Sequence, residues 1–369
     1  MIVNTAERDF EVIEITNEMP YNRIGGVGSV IEALMSGFAK LGVRALWYVA
    51  DHHYHLHEVQ AILTRYPRVA FGNQAELAAF RAPVAHVHSY NHAPGLLDAL
   101  DGARSLFTIH SLIACEEVSN EVNLRGSVAA QERLIGACDE VVLVSEAELG
   151  NYQQLGYGRL NNRLSVVHNG IALPAFAGGR RRRGVLGYCG RLVPRKRPEY
   201  LQMLLLERDF EAFEVMIAGK AFSRYARDLI DKLGIEQRVH YLGWCGGPRL
   251  DAFFDAIDVL VQPSIYEPFG LAALEAVARG IPVVCGEVGG LIEVLGEHAF
   301  YCDSTRYESF RDAMRRWLNT GDDEIAMITE GARERARERF TDVAMARRYV
   351  QRFVGIAGST HADETEAEV

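Results

Sequence analysis

The segment Pro263–Ala276 places two carboxylates, Glu267 and Glu275, on either side of Pro268-Phe269-Gly270. Their spacing is a little over two helical turns at ~3.6 residues per turn, so a helix whose first turn holds that tripeptide would line both along one cleft. Free N–H groups at Gly270 and Leu271 could then cradle a phosphate. Carboxylates accept hydrogen bonds from vicinal sugar hydroxyls, as acidic residues do for ribose in dinucleotide sites. The plainer alternative is a surface helix with two solvated glutamates, but a Glu275 packed against a sheet without a ligand would be costly.

Two other groups point to phosphate. Arg191 and Lys196 follow the apolar run Val185–Cys189, where a bidentate guanidinium and a point charge suit a diphosphate. A solvated basic loop is the alternative there. Ile24-Gly25-Gly26-Val27-Gly28 precedes a helical pattern starting near Ser29 and reads either as an anion-binding turn or simply as a tight one.

Each group sits where an apolar run gives way to an amphipathic stretch, the pattern of β-α units around parallel sheets. Strands are expected at Phe10–Ile15, Arg44–Val49, Ala85–His88, Ser105–Ile109, Glu140–Val144 and Ser165–Val167, with helices at Val30–Leu41 and Gly126–Cys138. Alternation stops at Ala172–Arg183, which holds Pro174, two glycines and the run Arg180–Arg183. It resumes with strands at Val185–Cys189, Phe213–Ala218, Val239–Leu242, Val259–Gln262 and Pro282–Cys285. Helices are expected at Pro198–Leu206, Ala221–Leu233, Arg249–Ala256 and Gly270–Arg279. The expected organisation is α/β: a doubly wound domain over 1–172, a linker over 173–184 and a second over 185–340. A helix over 341–358 and a disordered tail over 359–369 follow.

Length and composition fit this. The 369 residues are 49% hydrophobic and 24% charged, enough for two globular domains and too apolar for intrinsic disorder. A net charge of −10 argues against nucleic acid or an anionic membrane as partner. No run reaches the ~18 apolar residues of a membrane span, and no secretory leader is evident. Cys115, Cys138, Cys189, Cys245, Cys285 and Cys302 lie far apart and read as reduced thiols of a cytoplasmic protein. The histidine-rich stretch Asp51–His57 lacks zinc-finger spacing, so no metal site is expected there and an acceptor-side loop containing His53 is the preferred reading.

In order along the chain stand Gly25-Gly26-Val27-Gly28, Val87-His88, Thr108-Ile109-His110, Val144-Ser145, His168-Asn169-Gly170-Ile171, Gly190-Arg191 with Lys196, Glu267 through Glu275, and Val288-Gly289-Gly290-Leu291. This ordered set, over roughly residues 10 to 355, resembles the retaining glycosyltransferases of the GT-B fold, family 4, whose relatives include the glycogen synthases.

The resemblance implies two Rossmann-like domains facing across a cleft, with the C-terminal helix crossing back onto the first domain. It implies that Arg191 and Lys196 hold the nucleotide diphosphate, Glu275 accepts from the ribose, and Glu267 contacts the donor sugar. The backbone from Phe269 through Gly270 to Leu271 would surround sugar and phosphate. Gly25, Gly26 and Val27 would approach the diphosphate, and main chain at Leu242 and Gly243 would form part of the base pocket. His110 would face the donor sugar, making it, with Arg191, Lys196 and Glu267, the catalytic set. His53, His88, His92 and Asn169 are the acceptor-side candidates.

The implied reaction needs a nucleotide diphosphate sugar as co-substrate, no cofactor and no metal, because cations and helix N–H groups can stabilise the leaving diphosphate. Residues 1–172 carry 12 Lys/Arg against 19 Asp/Glu, so a small soluble acceptor, as in specialised-metabolite assembly, is preferred over an anionic lipid. A glycan- or lipid-directed transferase and a nucleotide-sugar 2-epimerase on the same fold are the alternatives, with monomer and homodimer both open. Arg23 stands where polymer-forming relatives carry a lysine near the Gly-rich loop, which disfavours polymer synthesis.

Overall fold

The computed structural model describes residues 1–20, 26–50, 54–89, 95–100, 102–174, 184–221, 223–234 and 237–358. Gly25, His53, His92, most of the expected linker and the expected disordered tail lie outside these. The chain forms two compact units: Met1–Ala114 with Asn123–Ala172 and Asp342–Val369, and Cys115–Val122 with Leu173–Thr341. The division differs from the sequence expectation at residues 115–122, which group with the second unit.

The first unit is built on eight strands: β1 (Ile2–Val3), β2 (Val12–Thr16), β3 (Ala45–Ala50), β4 (Val69–Gly72), β5 (Val84–Val87), β6 (Arg104–Ile109), β7 (Glu140–Leu143) and β8 (Leu164–Val166). Their order is β1-β4-β3-β2-β5-β6-β7-β8. Only β1 runs antiparallel to its neighbour. β1 and β4 are missing from the sequence expectation because each offers too few alternating residues to register as a strand. The central strands read as continuous apolar runs because helices cover both faces of a parallel sheet. Glu14, in the middle of β2, and His86, in β5, break that pattern and are fully buried.

Six parallel strands form the second unit: β9 (Val185–Cys189), β10 (Glu214–Ala218), β11 (Val239–Gly243), β12 (Val259–Gln262), β13 (Val283–Gly286) and β14 (Phe300–Cys302), in the order β11-β10-β9-β12-β13-β14. Its core gathers Leu186, Tyr188, Val215, Ile217, Val259 and Val261 from the strands with Leu201, Phe310 and Trp317 from the helices. Strand order reverses direction between β2 and β5 in one unit and between β9 and β12 in the other. Doubly wound sheets place ligands at the carboxyl ends of strands beside such reversals.

The helix Asp342–Gly358 returns to the first unit and packs on the helix Val27–Leu41. Its first residue is anchored three ways. The Asp342 amide donates to the Ile171 carbonyl at 2.9 Å, while Ser36 Oγ, at 2.6 Å, and Lys40 Nζ reach its carboxylate. The two helices approach so closely at Gly37 that a Cβ there would lie 2.5 Å from the Asp342 carbonyl oxygen and 2.6 Å from Ala346 Cβ. Gly37→Ala is therefore expected to force the helices apart at a cost of about 1–3 kcal/mol, read as a lowered urea midpoint; Gly136→Ala, a helical glycine where nothing lies within 4 Å, is the uncrowded control and should leave the midpoint unchanged or raised.

Candidate active site

The charged cluster of the second unit forms at its strand-order reversal. Leaving β9, the backbone turns at Gly190 and makes one 3₁₀ turn at Pro194–Lys196. Leaving β12, it passes through Ser264 and Tyr266 to Glu267. The two exits are joined where the Ile265 amide donates to the Arg195 carbonyl at 2.8 Å. Lys196 Nζ donates to Glu267 Oε2 at 2.8 Å, and Gln262 Nε2 donates to the same oxygen at 2.8 Å. Both ionic side chains are about nine-tenths buried. Burial alone would raise the Glu267 pKa, but Lys196 and Arg195 together hold it below the usual carboxylate value.

A second carboxylate, Glu116, has no counterpart in the sequence expectation. Its Oε1 accepts from Arg191 at 3.1 Å and from Arg195 at 3.1 Å. Arg195 is buried, also donates to the Tyr266 carbonyl at 2.7 Å, and takes Asn120 Oδ1 on its amide at 3.2 Å. Glu116 and Asn120 stand four apart on the helix Ile113–Asn120, so one helical face meets the β9 exit. Arg191, with its side chain 39% exposed, is the more accessible of the two guanidinium groups. The i,i+4 pair of polar residues was the available signal.

The helix after Glu267 begins later than its sequence suggests. Gly270 is the N-cap, with φ of 101°, and the helix runs Leu271–Ala278, so Pro268, Phe269 and Gly270 precede it. Phe269 is buried, its ring 5.7 Å from that of Phe340, so its side chain is taken up by packing. The loop 267–269 is pressed against Val288-Gly289-Gly290-Leu291. The Gly290 amide donates to the Glu267 carbonyl at 3.0 Å, and a Cβ on Gly290 would meet Phe269 Cα at 2.3 Å. That contact explains the glycine pair in the motif. Glu275 is half-buried near Cys189, whose thiol is pushed up to about 12, chiefly by burial and then by the Glu275 charge. At the end of β11, the Leu242 and Gly243 carbonyls already accept from Arg249, at 3.1 Å, and from the Gly219 amide, at 2.8 Å.

In the first unit the reversal between β2 and β5 holds a different device. Glu14 registers with His86 on β5, and His86 and His88, two apart, present to one face. His88 Nε2 lies 2.6 Å from Glu14 Oε2, His86 Nδ1 lies 2.8 Å from the same oxygen, and His88 Nδ1 lies 3.1 Å from His110 Nε2. His86 Nε2 continues to Thr108 Oγ1 at 2.7 Å, and that hydroxyl to Tyr349 at 3.0 Å. Although Glu14, His86 and His88 could converge on a metal ion, 2.6–2.8 Å between ligand atoms is hydrogen-bond spacing. Ligands sharing an ion at ~2.0–2.1 Å stand farther apart.

Burial opposes the Glu14 charge, but His86 and His88 hold the pKa down to about 2. Burial, aided by His86, lowers His88 to about 4, and burial with His88 holds His110 well below the ordinary imidazole value. His88, an acceptor-side candidate in the sequence, is buried and hydrogen-bonded to His110. Asn169 is likewise buried, its Oδ1 without a hydrogen-bond partner among the described residues. Gly26 is exposed as N-cap of a helix that starts at Val27, two residues earlier than expected.

Two family models match the chain: Glycosyltransferase Family 4 over residues 24–173 and Glycosyl transferases group 1 over residues 177–335. An uncharacterized glycosyltransferase of Methanocaldococcus jannaschii is 43% identical over 112 residues, covering 29% of this chain and 28% of its own. A D-inositol 3-phosphate glycosyltransferase of Stackebrandtia nassauensis is 31% identical over 249 residues, 61% of this chain and 53% of its own. The chain thus spans between about a quarter and about half of these curated relatives. Among solved structures, sucrose-phosphate synthase of Thermosynechococcus elongatus superposes with a TM-score of 0.77 at 17% identity, covering 96% of this chain and 100% of that one. Anabaena HepE in complex with UDP and glucose gives 0.71 at 16% identity, covering 93% and 98%. These structures establish a shared GT-B fold.

Lys196→Ala would strand the Glu267 carboxylate, so it is expected to destabilise the protein by about 3–5 kcal/mol in urea unfolding, and adding Glu267→Gln should recover part of that loss. In the first unit, His88 stays neutral in the folded protein down to about pH 4, while the unfolded chain takes up a proton below about 6.5. Stability supplied by the neutral ring is therefore full above pH 6.5 and is lost as the pH falls towards 4. Melting temperatures measured across that window should decline in the wild type and decline less steeply in His88→Asn.

Proposed function

We propose that this chain, which belongs to the family 4 glycosyltransferases of the GT-B fold, moves a hexose from a UDP- or GDP-sugar to a small soluble acceptor with retention of configuration. The observation that carries the reading is the cluster of Arg191, Arg195 and Lys196 with Glu267 at the carboxyl ends of β9 and β12. Breaking the bond between an anomeric carbon and a diphosphate builds negative charge on the leaving group. Fixed cations aimed at that charge stabilise the transition state without reorganising.

In this reading Arg191 exchanges part of its contact with Glu116 for a phosphate oxygen, and Lys196 supplies a second positive charge. The amides opening the helix Leu271–Ala278 add a partial one. Glu275 accepts from the ribose hydroxyls, Glu267 from those of the sugar, and His110 contacts the sugar. These charges stand in for a divalent ion, so the reaction runs without metal. Same-face attack, with the departing phosphate oxygen taking the acceptor's proton, gives retention.

The acceptor is placed among neutral or cationic small molecules because residues 1–172 carry 19 acidic against 12 basic side chains. Relatives named for D-inositol 3-phosphate make that anionic polyol the comparator. Among the described residues no helix is long and apolar enough to cross a membrane, and we place the reaction in the cytoplasm.

Thermal shift with UDP, GDP, ADP and dTDP tests the donor site: the matching nucleotide at ~100 times its Kd should add about 2.7 kcal/mol of stability. Incubation of the matching sugar donor with acceptor panels, D-inositol 3-phosphate included, should then give a retained glycoside, and Arg191→Ala should lose most of that transfer while remaining folded. A product formed from donor alone would indicate a 2-epimerase instead. No shift with any nucleotide and no product would overturn the reading.

A further inference from the structure

The buried network of the first unit has a direction, and the direction fixes one proton. Glu14, ionised, can only accept, so His88 Nε2, 2.6 Å away, must be the N–H donor. A neutral His88 then has a lone pair on Nδ1, and His110 Nε2, 3.1 Å from it, must donate in turn. The remaining nitrogen of His110, Nδ1, has no hydrogen-bond partner among the described residues. His86 braces the start of the chain: its Nδ1 lies 2.8 Å from Glu14 Oε2, off the hydrogen-bond direction, and its Nε2 is held by Thr108.

We propose that Glu14, acting through His88, is a positioning residue that holds His110 in its Nε2-protonated tautomer, leaving Nδ1 as the acceptor for a hydroxyl of the transferred sugar. The part concerning the sugar rests on the proposed function; the part concerning the tautomer does not. A single buried carboxylate thereby sets the hydrogen-bonding character of a ring two residues removed from it in the network. Without the relay both neutral tautomers of His110 would be open, and in one of them Nδ1 would be a donor.

The orphaned second oxygen of Glu14 makes the idea testable. Oε1 is buried and has no hydrogen-bond partner among the described residues. In Glu14→Gln, an amide nitrogen placed at the Oε1 position would leave both its N–H groups unsatisfied. Placed at the Oε2 position, it can donate one N–H to His88 Nε2, leaving one N–H and a carbonyl without a well-directed partner, a smaller penalty than two orphaned N–H groups. The introduced amide should therefore donate where the Glu14 carboxylate accepts. His88 must then carry its proton on Nδ1, and His110 must accept on Nε2 and carry its proton on Nδ1.

Long-range ¹H–¹⁵N spectra of the ¹⁵N-histidine-labelled full chain distinguish an N–H from a lone-pair ring nitrogen, with His110→Asn identifying the signals. The wild type is expected to show His110 protonated at Nε2, and Glu14→Gln to show the protonation sites of His88 and His110 exchanged. Transfer kinetics of the same variant should show kcat lowered by roughly tenfold, the scale of one hydrogen bond, with KM for the donor little changed. Wild-type His110 protonated at Nδ1, or unchanged spectra in Glu14→Gln, would overturn the relay. If the variant fails to fold, the wild-type spectrum alone decides it. Exchanged tautomers with undiminished kcat would overturn the role of Nδ1 towards the sugar. A wild type that transfers no sugar would count against the proposed function, and the spectra would still judge the relay.

Discussion

A lysine and a glutamate buried side by side constrain nearly everything around them in the second unit. At 2.8 Å, with both side chains about nine-tenths removed from water, Lys196 and Glu267 each offset the other's burial, with Arg195 adding a second positive charge beside Glu267. Keeping them in register requires the exits of β9 and β12 to be tied together, which the Ile265–Arg195 backbone bond does. It also requires the loop carrying Glu267 to be backed by something without a side chain. Gly289 and Gly290 serve there, because a Cβ on either would strike the backbone of 267–269. An ionic pair in a low-dielectric setting, a strand-order reversal and a glycine doublet are thus one construction. Its yield is an oriented positive field beside a carboxylate, the combination that a departing diphosphate and a hydroxylated sugar require.

The first unit solves a related problem with the opposite electrostatics. Its reversal also buries a carboxylate, but the partners of Glu14 are imidazoles rather than an ammonium. The result is one negative charge beside two imidazoles, hydrogen-bonded to His88. Charge is concentrated in the second unit, and proton placement is controlled in the first. Both devices sit on strands or their exits, where the sheet fixes the backbone and leaves only the side chain free to be specified.

Much of this is legible in the residues alone, and the boundary is instructive. Alternating apolar runs and amphipathic stretches reveal both sheets, because burial on two faces leaves a strong pattern. The strands that escape, Ile2–Val3, Val69–Gly72 and Phe300–Cys302, are too short to carry a period. Lys196, Arg191 and Glu267 are legible because charged residues at strand exits are informative by position. Glu116 and Arg195 are less so: the i,i+4 pair Glu116 and Asn120 marks a polar helix face, but its meeting with Arg195 depends on residues 115–122 joining the second unit, a long-range fact. Glu14 and the His86–His88 pair do leave a signal: a glutamate inside an apolar strand, and two histidines at the spacing of one strand face. Taken singly, His88 reads as an acceptor-side candidate, because a lone histidine does not disclose which neighbour it answers.

The return of Asp342–Gly358 to the first unit has a consequence for how the polypeptide is made. A ribosome releases the chain from its N-terminus, so the helix Val27–Leu41 emerges some 300 residues before the helix that packs on it, on the numbering of the two segments. Throughout that interval Gly37 and its neighbours expose the surface that Ala346 and Phe353 will later cover, while the whole of 173–341 has time to fold. The first unit is begun first and completed last. Messages cut short just before residue 342 would therefore yield a complete second unit attached to a first unit with an open apolar flank, the kind of species that quality-control chaperones and proteases select.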